Sequence, residues 1–173
     1  MRHGLSLLIF WSTTSHFGCL SSAALPVPPN GAPSDQALPS TALLAMDGTT
    51  TDLRTVLRGR VAVVSLWATW CDACLGEIDA LGRLHALAAA RGDAIVVGVA
   101  VGESRETVAA FAQKRRVVYA EFVDEGFHLA DALGEPRVPT TLVVDRAGRI
   151  IFRGGALDSA GLAAFRSALT PGR

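Results

Sequence analysis

The 173-residue sequence predicts an α/β domain, a central mixed β-sheet with helices on both faces. Two runs of strand-forming residues, Val61–Trp67 and Ala94–Val101, are too continuously apolar for strands with a wet face. They read as central strands covered on both sides. Between them Leu75, Ile78, Leu81, Leu84, Leu87 and Ala88 recur at spacings of three and four, which marks an amphipathic helix. A helical crossover is needed wherever two neighbouring strands run parallel.

The remaining elements follow along the chain. Thr41–Met46 and Thr49–Leu53 flank Asp47-Gly48 and predict a hairpin added before the first central strand. The amphipathic helix runs from Cys71 to Arg91, with Gly92 where a C-cap belongs. Ser104 precedes Val108, Phe111 and Ala112 in a second helix that stops near Arg116. Val117–Val123 reads as a strand and Phe127–Leu133 as a short helix. Thr140–Val144 and Arg149–Arg153 form a hairpin around Asp145-Arg146-Ala147-Gly148. Asp158 or Ser159 caps a last helix through Leu162, Phe165 and Leu169.

Composition narrows the function classes. Half of the chain is hydrophobic and 18% is charged, enough to fill a core and too apolar for disorder. Sixteen Lys and Arg balance sixteen Asp and Glu, and no basic run exceeds Lys114-Arg115-Arg116. Nucleic-acid binding needs a dense positive field and is not expected. Three cysteines are too few for a disulfide scaffold or a cysteine-built zinc domain.

The N-terminus reads as an address. Arg2 and His3 precede the apolar stretch Leu5–Trp11, and Ser21-Ser22-Ala23-Ala24 offers the small residues of a cleavage site. Residues 1–24 are therefore expected to be a signal peptide, with cleavage after Ala23 or Ala24. Cys19 leaves two alternatives open. A lipoprotein cysteine follows a Leu-small-small triplet, and here Gly18 fits while Phe17 and His16 do not. Cys19 is either a lipid anchor or a thiol discarded with the leader. Five of the eight prolines (Pro26, Pro28, Pro29, Pro33, Pro39) fall in residues 25–39, which reads as a Pro-rich disordered linker. The folded domain is expected over residues 40–173.

The chemistry sits at Trp70-Cys71-Asp72-Ala73-Cys74, where a buried strand hands over to a helix. Thiols at i and i+3 on a first helical turn close into a small disulfide ring. The helix N-terminus supplies unpaired N–H groups and a partial positive charge, which favour thiolate over thiol at Cys71. Cys71 is thus the candidate nucleophile and Cys74, the more shielded, the resolving thiol. Three other readings compete. A structural staple closing so short a loop gains only ~2 kcal/mol by the loop-entropy formula. A metal site needs further ligands, and the later histidines, His85 and His128, lie on separate helices. A c-type haem attachment needs His after the second cysteine, where Leu75 stands.

Leu66-Trp67-Ala68-Thr69-Trp70-Cys71-x-x-Cys74, together with Val138-Pro139-Thr140-Thr141 and the hairpin Asp145-Arg146-Ala147-Gly148-Arg149-Ile150, resembles the thioredoxin superfamily, in particular the exported TlpA/ResA-type thiol-disulfide oxidoreductases. The resemblance spans about residues 40 to 170 and implies a thioredoxin-like fold. The strand and helix between Val117 and Leu133 match that group's central insert. The resemblance further implies a cis peptide before Pro139, facing the cysteine pair. Val138 would then offer its backbone to an extended client, and Pro139 would shield the thiols. Trp70 would form an apolar rim for the partner protein, while Trp67 packs under the helix. Glu77 matches a glutamate that modulates thiol protonation in ResA-type proteins; the alternative is a surface residue on an amphipathic helix.

Three positions depart from the group's pattern. Ser65 stands where ordinary thioredoxins carry a buried acid, which leaves Glu77 as the expected proton partner. Asp79 replaces a proline of the first helix, so a kink there is not required. Asp72 places a negative charge beside Cys71, a repulsion on the order of 1 kcal/mol, or about one pKa unit, at an effective dielectric of 20 to 80. It predicts a less acidic Cys71 and a more reducing pair.

The expected function is exchange of disulfides with protein thiol clients through Cys71 and Cys74, in the reducing direction, on the periplasmic side. No organic cofactor and no metal is expected. A reducing member in an oxidising compartment needs a membrane electron donor. The family implies apocytochrome c thiols or copper-site cysteines among the clients. A peroxidase would lean on a Thr three residues before the reactive cysteine, where Ala68 stands. The remaining alternative is a copper metallochaperone or a non-catalytic binding module on the same fold.

Overall fold

A computed structural model describes residues 36–134 and 137–170. The expected signal peptide, Cys19 and nearly all of the expected linker lie outside the described residues. The elements are β1 (Ala42–Ala45), β2 (Thr50–Asp52), α1 (Leu53–Leu57), β3 (Val61–Trp67), α2 (Asp72–Leu75), α3 (Ile78–Arg91), β4 (Ala94–Val101), α4 (Arg105–Arg115), β5 (Ala120–Asp124), α5 (His128–Ala132), β6 (Thr140–Val144), β7 (Ile150–Gly154) and α6 (Ser159–Leu169).

The sheet has the strand order β2-β1-β5-β4-β3-β6-β7. β3, β4 and β5 run parallel, and β6 returns antiparallel to β3. The mixed sheet and its two helical layers are the expected α/β architecture. One face of the sheet presents Ala62, Val64, Leu66, Val97, Val99 and Leu142 to α1 and α5. The other presents Val61, Val63, Val96 and Val143 to α3 and α6. All seven residues of β3 are buried, as its sequence requires of a strand sealed on both sides. Each Val or Leu so buried contributes roughly 1.5–3 kcal/mol relative to exposure.

Several caps follow from the sequence. Ser104 accepts from the Thr107 amide at the start of α4, and Asp158 from the Gly161 amide at the start of α6. Gly92 closes α3 at a φ of 77°, a left-handed conformation that suits glycine.

Four details differ from the sequence-based expectation. First, the helix expected over Cys71–Arg91 is two segments. The Glu77 amide bonds the Cys74 carbonyl at 3.1 Å, a tight three-residue turn that ends α2. The Glu77 carbonyl then opens α3 by accepting from the Leu81 amide at 2.9 Å. Second, β5 starts at Ala120 rather than Val117. Arg116 is left-handed at φ 56°, and the Val117 amide is spent on the Ala112 carbonyl, so that residue belongs to the end of α4. Third, Leu53 is not a strand end but the start of α1. Asp52 caps that helix, accepting from the Arg54 amide at 2.7 Å and the Thr55 amide at 3.3 Å. We expect Asp52→Ala to cost about 1 kcal/mol in chemical denaturation; an unchanged midpoint would show that α1 is held by Leu53 and Leu57 alone. Fourth, Gln36–Leu38 already belong to the domain. Ala37 bridges Arg149, and Leu38 is buried in the core.

Candidate active site

The C-terminal ends of the parallel strands converge on one edge of the sheet, and the cysteine pair lies there. β3 is anchored centrally by β4 and β6, so its last residue, Trp67, is fixed. The segment Ala68–Trp70 then turns into α2. Glu103, just past β4, holds this turn, accepting from the Thr69 amide at 2.7 Å and from the Thr69 hydroxyl. Cys71 is the N-cap of α2, and its sulfur accepts from the Cys74 amide at 3.2 Å. An N–H aimed at sulfur favours negative charge there.

Cys71 and Cys74 are joined in a disulfide with S–S 2.05 Å and Cα–Cα 5.2 Å. The expected contrast in shielding is small, since Cys71 is 6% and Cys74 4% exposed. Both sulfurs sit in an apolar cluster with Trp67, Ala68, Ala100, Val108 and Val123, and Val138 packs against it. The Val138–Pro139 peptide is cis. Beside it opens a recess of about 240 Å³ lined by Arg137, Val138, Pro139, Thr140 and Arg153. A cleft of about 360 Å³ between α1 and the β6–β7 turn lies at the other end of β3.

The two tryptophans divide as their sequence context predicts. Trp67 is buried and stacks at a tilt on Phe111, with ring centroids 5.2 Å apart. Trp70 is 70% exposed beside the disulfide. Asp72 is exposed on the first turn of α2. We expect Asp72→Asn to lower the Cys71 thiol by about one unit. The pH profile of alkylation of the reduced protein reads this, and a superimposable profile would show that solvent screens the charge.

Glu77 lies at the joint between α2 and α3 and is buried, not on a wet helix face. One carboxylate oxygen accepts from the Leu157 amide in the β7–α6 loop, and the other is buried without a partner. Burial pushes its acidity range upward, against the opposing pull of the Leu157 bond. The sequence reading missed a second acid, Glu121 on β5. Its carboxylate accepts from the Trp67 indole N–H at 2.9 Å, and burial raises its pKa to about 8. A lone acid among the apolar residues of a strand, Tyr119-Ala120-Glu121-Phe122-Val123, was the available signal. Among the described residues, no three His, Cys, Asp or Glu side chains gather as a ligand set for a metal.

A family profile described as Redoxin matches residues 32–165, most of the chain. The chain belongs to the Redoxin family. Within the redoxins it is similar to the thiol-disulfide oxidoreductase ResA of Geobacillus thermodenitrificans, 28% identical over 93 residues, 54% of this chain and 53% of that protein. The chain thus spans about half the length of the curated relatives it matches. Among solved structures, a secreted thiol-disulfide isomerase from Corynebacterium glutamicum superimposes with a TM-score of 0.66 at 26% identity, covering 76% of this chain and 83% of that one. A thiol-disulfide oxidoreductase from Bacteroides fragilis gives 0.69 at 19% identity, covering 78% and 100%. The latter likeness establishes the fold, which is thioredoxin-like. The redoxin of this chain carries the Cys-x-x-Cys pair at the strand-to-helix turn of that fold.

Proposed function

We propose that this redoxin is a protein thiol-disulfide oxidoreductase that works by reversible exchange at Cys71 and Cys74. The reading is carried by one observation: the two sulfurs close a four-residue ring at a helix N-terminus, with Val138 of the cis peptide packed against them. A staple at that position adds little stability, whereas a strained choice of nucleophile is not needed where an amide already points at Cys71 sulfur.

In the reducing direction, the Cys71 thiolate attacks a client disulfide. A Cys71–client bond forms and one client thiolate leaves. Cys74 then gives up its proton and attacks Cys71 sulfur, so the Cys71–Cys74 bond forms and the second client thiolate leaves. The pair loses two electrons and the client gains them. The exposed Trp70 ring and the backbone of Val138, which precedes β6, supply the docking surface for an extended client segment. Pro139, joined to Val138 by the cis peptide, shields the thiols in this reading. Glu77, three residues beyond the resolving thiol, is the buried carboxyl placed to take its proton, whereas Asp72 is exposed to solvent.

Export follows from the expected leader over residues 1–24 and places the domain on the periplasmic side, free or anchored at Cys19. Reducing work in that compartment draws electrons from a membrane donor, with cytochrome c or copper-site thiols as clients. The test is capture in cells with Cys74→Ala, which stalls the cycle at the Cys71–client stage. Recovery of mixed disulfides that a reductant releases is the expected result. An empty trap, with Cys71 inert to thiol reagents, would remove the catalytic reading.

A further inference from the structure

Glu121 is a carboxyl buried where the fold had to make room for it. In the sheet register Ser65 of β3, Gly98 of β4 and Glu121 of β5 form one row on the face beneath α3 and α4. The Glu121 side chain lies across Gly98. A Cβ built there would meet both carboxylate oxygens, so any side chain at position 98 would displace the Glu121 carboxyl from its present place. One oxygen accepts from the Trp67 indole. The other is buried without a partner. Trp67 in turn shares its apolar cluster with Cys71 and Cys74.

Tyr119, just before β5, lies near the carboxyl, and its phenol is pushed upward by burial and by the negative charge of Glu121 and Glu77. Glu77 acts on the same Tyr119 phenol, and Cys71 and Cys74 are reached from Glu121 through Trp67. On α4 the Phe111 ring packs on Trp67, with the Arg115 guanidinium 5.7 Å from that ring, and Ala112 lines the groove beside Glu121. Among the described residues no cation pairs with Glu121. A buried acid with one free oxygen and no counter-charge keeps its proton at neutral pH. It can still exchange with solvent, because a groove of about 420 Å³ lined by Met46, Asp47, Ala112, Val117 and Tyr119 reaches it from the β1 side.

We propose that Glu121 is a proton-linked tuner of the dithiol, neutral when Cys71 is to ionise and charged at alkaline pH, where it holds the thiol back. This rests on the reading of Cys71 as the reactive thiolate. Two negative charges beneath one apolar cluster disfavour each other, and the coupling is reciprocal: ionising Glu121 raises the thiol, and forming the thiolate raises Glu121. The proton passes to water through the groove, not through the reacting sulfurs. Glu121 is therefore a positioning residue for charge, acting through Trp67 and the space around it.

The test uses the full chain, reduced, with iodoacetamide as the probe. The Cys71 alkylation rate is followed against pH in wild type, Glu121→Gln and Glu77→Gln. Gln keeps an acceptor for Trp67 and removes the charge. Below about pH 7 the Glu121→Gln profile should overlay wild type. Above pH 8 it should run about three- to tenfold faster before the plateau, the size expected for one like charge in a partly screened interior. A profile that overlays wild type throughout would make Glu121 a structural partner of Trp67 alone. Should Glu121→Gln not fold, the carboxyl stretch of Glu121 in wild type is titrated by infrared spectroscopy in the oxidised and reduced protein. Equal midpoints overturn the proposal; a higher midpoint in the reduced protein at thiolate-forming pH supports it. A bent profile with no client exchange in the trapping experiment would sink the catalytic reading and leave this coupling standing.

Discussion

Replacing Cys71 by serine is expected to abolish disulfide exchange with the fold intact. Reduction of a model client such as insulin should fall to the rate of the reductant alone. Cys74→Ser should instead retain the first half-reaction and stall in mixed disulfides. The asymmetry follows from position: the Cys74 amide points at Cys71 sulfur. The oxidised fold loses only the short ring, ~2 kcal/mol by loop entropy. Its core is built from β3, β4 and the helices above and below them, and survives. Equal activity in Cys71→Ser and wild type would move the chemistry elsewhere; equal loss in both variants without any trapped client would leave the order of attack unsupported.

Glu121→Gln is expected to change how stability depends on pH, and by a large amount. Burial raises the folded-state value from 4.5 to about 8. Unfolded chains release that proton near 4.5, so between the two values the native state holds one more proton than the unfolded state. Stability then falls as pH rises through this window, at about 1.4 kcal/mol per pH unit for one proton. Above pH 8 the loss is complete and the slope vanishes. Glu121→Gln removes the slope, so the variant should match wild type near pH 4.5 and exceed it by several kcal/mol at pH 8 on the same linkage. Urea midpoints across this range read the difference directly. Parallel pH curves for the two proteins would place the carboxyl in a far wetter setting than its 6% exposure indicates.

The two stretches whose composition left one interpretation, Val61–Trp67 and Ala94–Val101, are β3 and β4 to the residue. Their legibility has a simple cause: burial on both faces removes every polar compromise from a strand. The closeness of Cys71 and Cys74 was legible from their spacing, which is local, and the cis bond before Pro139 was implied by the motif resemblance. What escaped was non-local. The helix that follows Asp52 escaped because the capping role of that last strand residue depends on where the hairpin leaves the chain. The break at Gly76–Glu77 is set by a carbonyl of Cys74 that the Glu77 amide takes first. Ser65 led attention to Glu77 as the acid near the thiols. The register that lays Glu121 over Gly98, two strands away from Ser65, cannot be read from either segment alone. Leu38 escaped for the opposite reason: the prolines around it mask a residue that pairs with the β6–β7 turn.

The contrast between the two described indole rings has an optical consequence. Trp67 is sealed at 4% exposure against the disulfide cluster, and Trp70 stands open at 70%. Emission from the first is expected to brighten when the neighbouring disulfide, a quencher of excited indole, is opened. The second shifts toward blue when a polypeptide covers it. Turnover and docking in this molecule therefore carry separate fluorescent signatures, readable in one cuvette without an attached dye.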